Sequence, residues 1–172
     1  MDMNIYNKKI KNYSNDEIKN IESNKIKISK SDEDIISFVK ESLDTKSSNK
    51  KIYYGKINDL LAEEIYEKLG INVKDYNLSL RASSVRKIIK DHGNNYKEKL
   101  RGQIPVSIDD FKYINDIVVG NDSFCYSGIT KEGKPSITFE KNIGNKYVVV
   151  EYISDKHHNL EVQTMWINKK RT

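Results

Sequence analysis

Apolar residues recur at helical spacing in several segments of this chain and alternate with a period of two in others, so the pattern alone predicts a mixed fold. Ser14 and Glu17 read as a capping box that opens a short helix carrying Ile18 and Ile21. Ser31 with Asp34 is a looser version ahead of Ile35, Ile36, Val39 and Leu43, and Lys25 to Ile28 alternates between them like a short strand. Asp44 to Asn49 is a polar linker. It divides an accessory or docking region, residues 1–49, from a second region, residues 50–172.

The second region opens with a strand over Lys51–Ile57, after which Asn58 caps a helix through Leu60, Leu61, Ile65 and Leu69 that stops at Gly70. A further helix is predicted over Ser83–His92, with Ser83 or Ser84 as cap and Gly93 as a left-handed terminator. Gln103 to Val106 is extended, because the residue before Pro105 disfavours helix. Ser107 then caps a helix running from about Ile108 to Val118, with Asp109 and Asp110 at the positive end of its dipole. Four strands follow, over Ser123–Ile129, Ser136–Lys141, Lys146–Ile153 and Leu160–Ile167, joined by short polar turns. Helices followed by an antiparallel meander give an α+β fold with helices on one face of a four-stranded sheet and the other face open to a ligand.

Length and composition narrow the setting. A chain of 172 residues suits one domain with an N-terminal extension. No apolar run approaches the length of a membrane span, and Met1 to Lys9 lacks the apolar stretch of a secretory signal, so no membrane partner and a cytoplasmic location are expected. Cys125 is the only cysteine, which excludes an internal disulfide and a multi-cysteine zinc site, and it reads as a small buried residue. Phosphate-binding glycine loops, a dinucleotide fingerprint and a His-Glu-x-x-His helix are all missing, so no cofactor and no metal are expected. His157 and His158 sit in a predicted turn without a matching carboxylate cluster and read as an exposed hairpin tip.

The net charge of +5 is modest, but its distribution is uneven. Arg81, Arg86, Lys87, Lys90, Lys97, Lys99 and Arg101 face only Asp91 and Glu98 in the same stretch. Such a surplus creates a field that attracts phosphates; its alternative meaning is a solvated helix face. Within it Val85, Ile88, Ile89 and His92 fall on one helical stripe, which by itself describes a half-buried structural histidine. Its place in the last turn, among cations, also fits a protonated histidine beside a phosphate, acting as a general acid. Arg86 and Lys90 share an exposed face, and a site that joins Arg86 to His92 needs a third element, most simply the sheet. In the last strand, strict alternation puts Leu160, Val162, Thr164 and Trp166 on one face and Glu161, Gln163, Met165 and Ile167 on the other. Thr164 and Trp166 then supply a hydroxyl and a base-stacking ring, or Trp166 fills the core.

The runs Ile52 to Lys56, Ser83 to Gly93, Arg101 to Asp110, Tyr147 to Glu151 and Thr164 to Trp166 occur in an order that resembles the phage-associated barnase/EndoU/colicin/RelE-like nuclease domains of phage and mobile-element proteins. The resemblance covers about residues 51–170. It implies helices followed by a four-stranded antiparallel sheet, with a metal-independent ribonuclease site between helix and sheet. The helical motif of such domains reads Ile-Arg-His and then His-Gly. Val85-Arg86 and His92-Gly93 match it, whereas Lys87 stands where the first histidine is usual, so either another group acts as base or the chemistry is reduced or lost.

The implied reaction is attack of an RNA 2′-hydroxyl on the adjacent phosphate, giving a cyclic phosphate and a free 5′-hydroxyl. The expected catalytic residues are Arg86, His92 and Thr164, and the expected RNA-binding residues are Arg81, Lys87, Lys90 and Trp166. The rivals are a nuclease-fold binding protein without chemistry, acting on RNA, a toxin or a host defence protein, and a phage structural protein that docks a protein partner through residues 1–49.

Overall fold

Local signals start most of the elements. The Ser14 hydroxyl accepts from the Glu17 amide at 3.2 Å and opens α1, Asn15–Glu22. After β1, Ile26–Ile28, comes α2, Asp32–Asp44, whose Ser31 side chain makes no cap; the Asp34 carboxylate instead accepts from the Lys30 amide at 2.7 Å. Asn58 caps α3, Asp59–Leu69, and Gly70 ends it with φ of 70°. Between these lies β2, Lys51–Lys56. The computed structural model describes residues 13–23 and 25–170; the signal-peptide reading of Met1 to Lys9 lies outside them.

Two elements adjoin without a turn: β3, Asn77–Arg81, runs straight into α4, Ala82–His92. The helix therefore begins before Ser83 and Ser84, which sit in its first turn and do not cap it, and Gly93 ends it at φ of −94° rather than in the left-handed region. A short α5, Asn95–Leu100, and the two-residue β4, Gln103–Ile104, follow. The capping box of Ser107 and Asp110 starts a tight 3₁₀ stretch, Ile108–Tyr113, that continues into α6, Ile114–Val119. Then come β5, Ser123–Ile129, β6, Pro135–Ile143, β7, Asn145–Ser154, and β8, Asn159–Asn168.

The α+β class holds, but the sheet is eight-stranded and mixed, not four-stranded and antiparallel. Its order is β1-β2-β3-β8-β7-β6-β5, with β4 also on β8; β1 with β2 and β3 with β8 run parallel. The expected meander β5 to β8 is one half of it. The other half exists because β8 has a second edge whose backbone groups need partners. Asn77–Ser79 pair with Asn159–Glu161 at one end of that edge, and Gln103 and Ile104 pair with Asn168 and Ile167 at the other. α4 packs against β8 as well.

The main core lies on one face of the sheet. Ile35, Phe38 and Val39 of α2, Leu61 and Ile65 of α3, Val85 and Ile88 of α4, and Ile114 and Ile117 of α6 pack there against Leu78, Leu80, Phe139, Val149, Leu160 and Met165. Each such side chain contributes about 1.5–3 kcal/mol by leaving water. Residues on both sides of the 49/50 linker thus share one sheet and one core. A smaller cluster of Ile21, Ile26 and Tyr53, with Tyr13 stacked on Tyr53 at 5.2 Å between centroids, brings α1 to the opposite side of β2. Cys125 is exposed rather than buried, because it lies on edge strand β5 beside Thr138, on the face away from the core. No helix among the described residues is long and apolar enough to cross a membrane.

Candidate nucleic-acid interface and acid–base site

The face of the sheet away from the core is set by one irregularity. In the β7–β8 pairing Glu151 opposes Val162 while Val150 opposes Thr164, so Gln163 is an extra, bulged residue. Alternation changes phase there. Leu160, Val162, Met165 and Ile167 all enter the core, and Thr164 and Trp166 lie on the other face, across from Val150 and Val148. The strict alternation expected from sequence grouped Leu160 and Val162 with Trp166; the bulge is what separates them.

His92 reaches this open face from the end of α4. Its ring lies 6.0 Å from that of Trp166, tilted by 31°. Its Nδ1 is 3.3 Å from Glu98 Oε2, and the other oxygen of Glu98 accepts from Arg101 at 2.8 Å. Glu98 is fully buried although it belongs to a run of charged residues in α5, and the Arg101 guanidinium also donates to the Asp91 carbonyl at 3.0 Å. A carboxylate on Nδ1 makes that nitrogen the donor and leaves Nε2 for another group. No hydrogen bond among the described residues occupies Nε2. The pair therefore has the geometry of an oriented acid–base imidazole, and Glu98 is the member of it that sequence reasoning missed.

Two grooves flank this point along the open face. One, of about 540 Å³, is lined by Ser83, Ser84 and Lys87 of α4, Tyr152 and Gln163 of the sheet, and Thr130, Lys131, Glu132 and Lys134 of the β5–β6 turn, three cations against one carboxylate. The first turn of α4 opens into it without a side-chain cap, so its backbone amides and the positive end of the helix dipole add to the lysines. Lys134 also lies over the Tyr152 ring, 5.1 Å from its centroid. The other groove, of about 1210 Å³, begins at Asn168 and Lys146, one position further along the face from Trp166 and Val148, and includes Arg101. From Gln163 to Asn168 the strand covers roughly 17 Å at about 3.3 Å per residue.

The expected site residues divide accordingly. The structure brings His92 and Trp166 together, with Thr164 on the same face, and puts Lys87 in the first groove. Arg86 is not brought there. Successive helical residues are 100° apart, and Arg86 is on the flank facing α2, where it donates to the carbonyls of Ser42 and Ser48 at 3.1 Å and of Thr45 at 3.3 Å. It thereby satisfies the end of α2 and the loop after it. Arg81 pairs with the buried Glu161 at 3.3 Å, and Lys90 is exposed and lines neither groove. Lys131 and Lys134 had read only as turn residues. His158, in the β7–β8 turn, stacks on Tyr76 at 5.2 Å. Among the described residues no three His, Cys, Asp or Glu side chains cluster as a metal site needs.

The core face carries a buried carboxylate of its own. Glu151 sits on β7 between Ile137 and Val162, bonded to the Tyr54 hydroxyl, while its Oε2 has no partner. Burial pushes this carboxyl up to about 8; the Tyr54 bond opposes the shift and the charge of Glu161 adds to it.

No curated protein and no solved structure matches the chain. Residues 55–172 match the family described as phage-Barnase-EndoU-ColicinE5/D-RelE like nuclease3, a span from β2 through β8 that includes His92, Glu98, Thr164 and Trp166. With that much of its length matched, the chain belongs to this family of nuclease domains.

Proposed function

We propose that the chain is an endoribonuclease that lays single-stranded RNA along the open face of its sheet and cleaves it by 2′-hydroxyl attack, without a metal ion. The observation that carries this reading is the His92–Glu98 pair against Trp166, between two basic grooves. Trp166 offers a stacking surface for a base, which suits a flexible single strand better than a paired one. Ser83, Ser84 and Lys134 hold a neighbouring phosphate at the start of α4, roughly 13 Å along the helix from His92, and Lys87, about one turn nearer to His92, offsets charge that builds on the oxygens of the scissile phosphate during attack. Thr164, on the face between them, orients a phosphate oxygen. His92, fixed through Nδ1 by Glu98, donates from Nε2 to the leaving 5′-oxygen as its bond to phosphorus breaks, and the proton of the attacking 2′-hydroxyl passes to solvent water.

Purified protein incubated with a labelled RNA, with and without EDTA, tests the proposal. Cleavage that persists in EDTA and yields 2′,3′-cyclic phosphate ends is expected; equal behaviour of wild type and His92→Ala sinks it. A second reading, a nuclease fold kept for binding alone, draws support from Lys87 standing where related domains carry a histidine. RNA binding by the wild type with no cleavage at all selects that reading.

A further inference from the structure

The larger of the two grooves has a lining that is one-sided in charge. Arg101, Lys146, Lys169 and Lys170 face it together with Asn142, Asn168, Gly102 and Gly144, and among the described residues no carboxylate does. Two of the cations are held in place through their backbone: the Lys169 amide donates to the Gly102 carbonyl at 3.2 Å and the Lys170 amide to Asn145 Oδ1 at 3.0 Å. Lys146 has one carboxylate nearby, Glu140 at 3.1 Å, and no ion pair among the described residues takes up Lys169 or Lys170. Their side chains are exposed. The groove therefore offers two cations, Lys169 and Lys170, with anchored backbone and no ion pair among the described residues, beside the paired Arg101 and Lys146, in a concave setting where field lines concentrate.

Its position indicates the occupant. Asn168 and Lys146 are the next pair along the same face after Trp166 and Val148, and Arg101 lines the groove while holding Glu98, which holds His92. A strand stacked on Trp166 runs directly into it. We propose that this groove is a phosphate subsite of the RNA track, which takes the backbone of a single strand one or two nucleotides beyond the base on Trp166. The inference rests on the ribonuclease reading for the placement of the strand, but it concerns binding and needs no cleavage to be tested.

The salt dependence of binding reads this directly. Each phosphate neutralised on a single strand contributes about 0.7 to the slope of log K against log salt. Fluorescence anisotropy with a labelled ten-nucleotide RNA is measured for the full chain and for Lys169→Gln/Lys170→Gln across a range of salt concentrations. A fall in slope of about 1.4 and a loss of affinity of roughly tenfold or more at low salt are expected. Lys40→Gln/Lys46→Gln, the same charge change at exposed positions in and just after α2, should leave the slope unaltered.

An unchanged slope in the groove variant overturns the subsite, as does a fall of equal size in the α2 control, or a wild type that binds no RNA. Polyglutamate of matched charge forms a further arm. If it binds as tightly as RNA and loses as much in the variant, the groove takes an acidic protein and the RNA assignment falls. The failures are distinct: a chain that binds RNA through this groove but does not cut it loses the ribonuclease reading and keeps the subsite.

Discussion

Each face of the central sheet is associated with one fully buried glutamate, and the two are provided for differently. Glu98, beside the open face, has both oxygens engaged, one with His92 and one with Arg101. Glu151, on the core face, has a single hydroxyl partner in Tyr54 and one oxygen left over. A buried carboxylate surrounded by donors can orient a neighbour; one with too few donors favours its neutral form. Position in the fold thus separates a carboxylate that acts on an imidazole from one that acts on stability.

Changes on the open face should move chemistry, and changes on the core side should move stability. The largest effect expected is from His92→Ala, a fall of about 10²–10⁴-fold in RNA cleavage, measured in single-turnover assays on protein shown to be folded by thermal melting. Glu98→Gln keeps the shape but weakens the hold on Nδ1. Cleavage should drop on the order of a hundredfold, less than when the imidazole is removed, with an altered pH profile that a purely structural role would not produce.

For Glu151 the sign follows from its raised carboxyl, at about 8 against 4.5 unperturbed. The fold accepts the protonated form, so this contribution is fully present below 4.5 and is lost as pH rises through about 8. Denaturant titrations should show stability declining across that interval by on the order of a few kcal/mol, with the decline largely absent in Glu151→Gln; an identical decline in both proteins would remove Glu151 as its source. The smallest effect belongs to Arg86→Ala, which should cost about 1 kcal/mol by releasing three carbonyls while leaving cleavage per folded molecule unchanged. A loss of cleavage beyond the loss of stability would return Arg86 to the site.

The same division separates what the sequence revealed from what it hid. Strands β5 to β8 were legible to within a residue or two because polar turns bound them and their apolar positions alternate. Asn77–Arg81 was not, since it abuts Ala82 without any turn residue, and Gln103–Ile104 is too short to carry a pattern. The basic stretch around α4 pointed to that helix and to His92, which the fold sets against Trp166. Glu98 was hidden because, among Lys97, Lys99 and Arg101, a glutamate reads as solvated surface; only the fold shows it closed in by His92 and Arg101. Arg86 matched a motif in sequence, yet its direction depends on where α2 ends.

The bulge at Gln163 makes the site depend on register. If Gln163 paired with Val150 instead of standing out of the ladder, Thr164 and Trp166 would pass to the apolar side and Met165 would come out to the solvent, whereas deleting Gln163 would leave Val162 and Thr164 opposite their present partners and keep both faces as they are. A one-residue slip is therefore enough to hide the interface with no change of sequence, and the unpaired residue is what holds the strand against it.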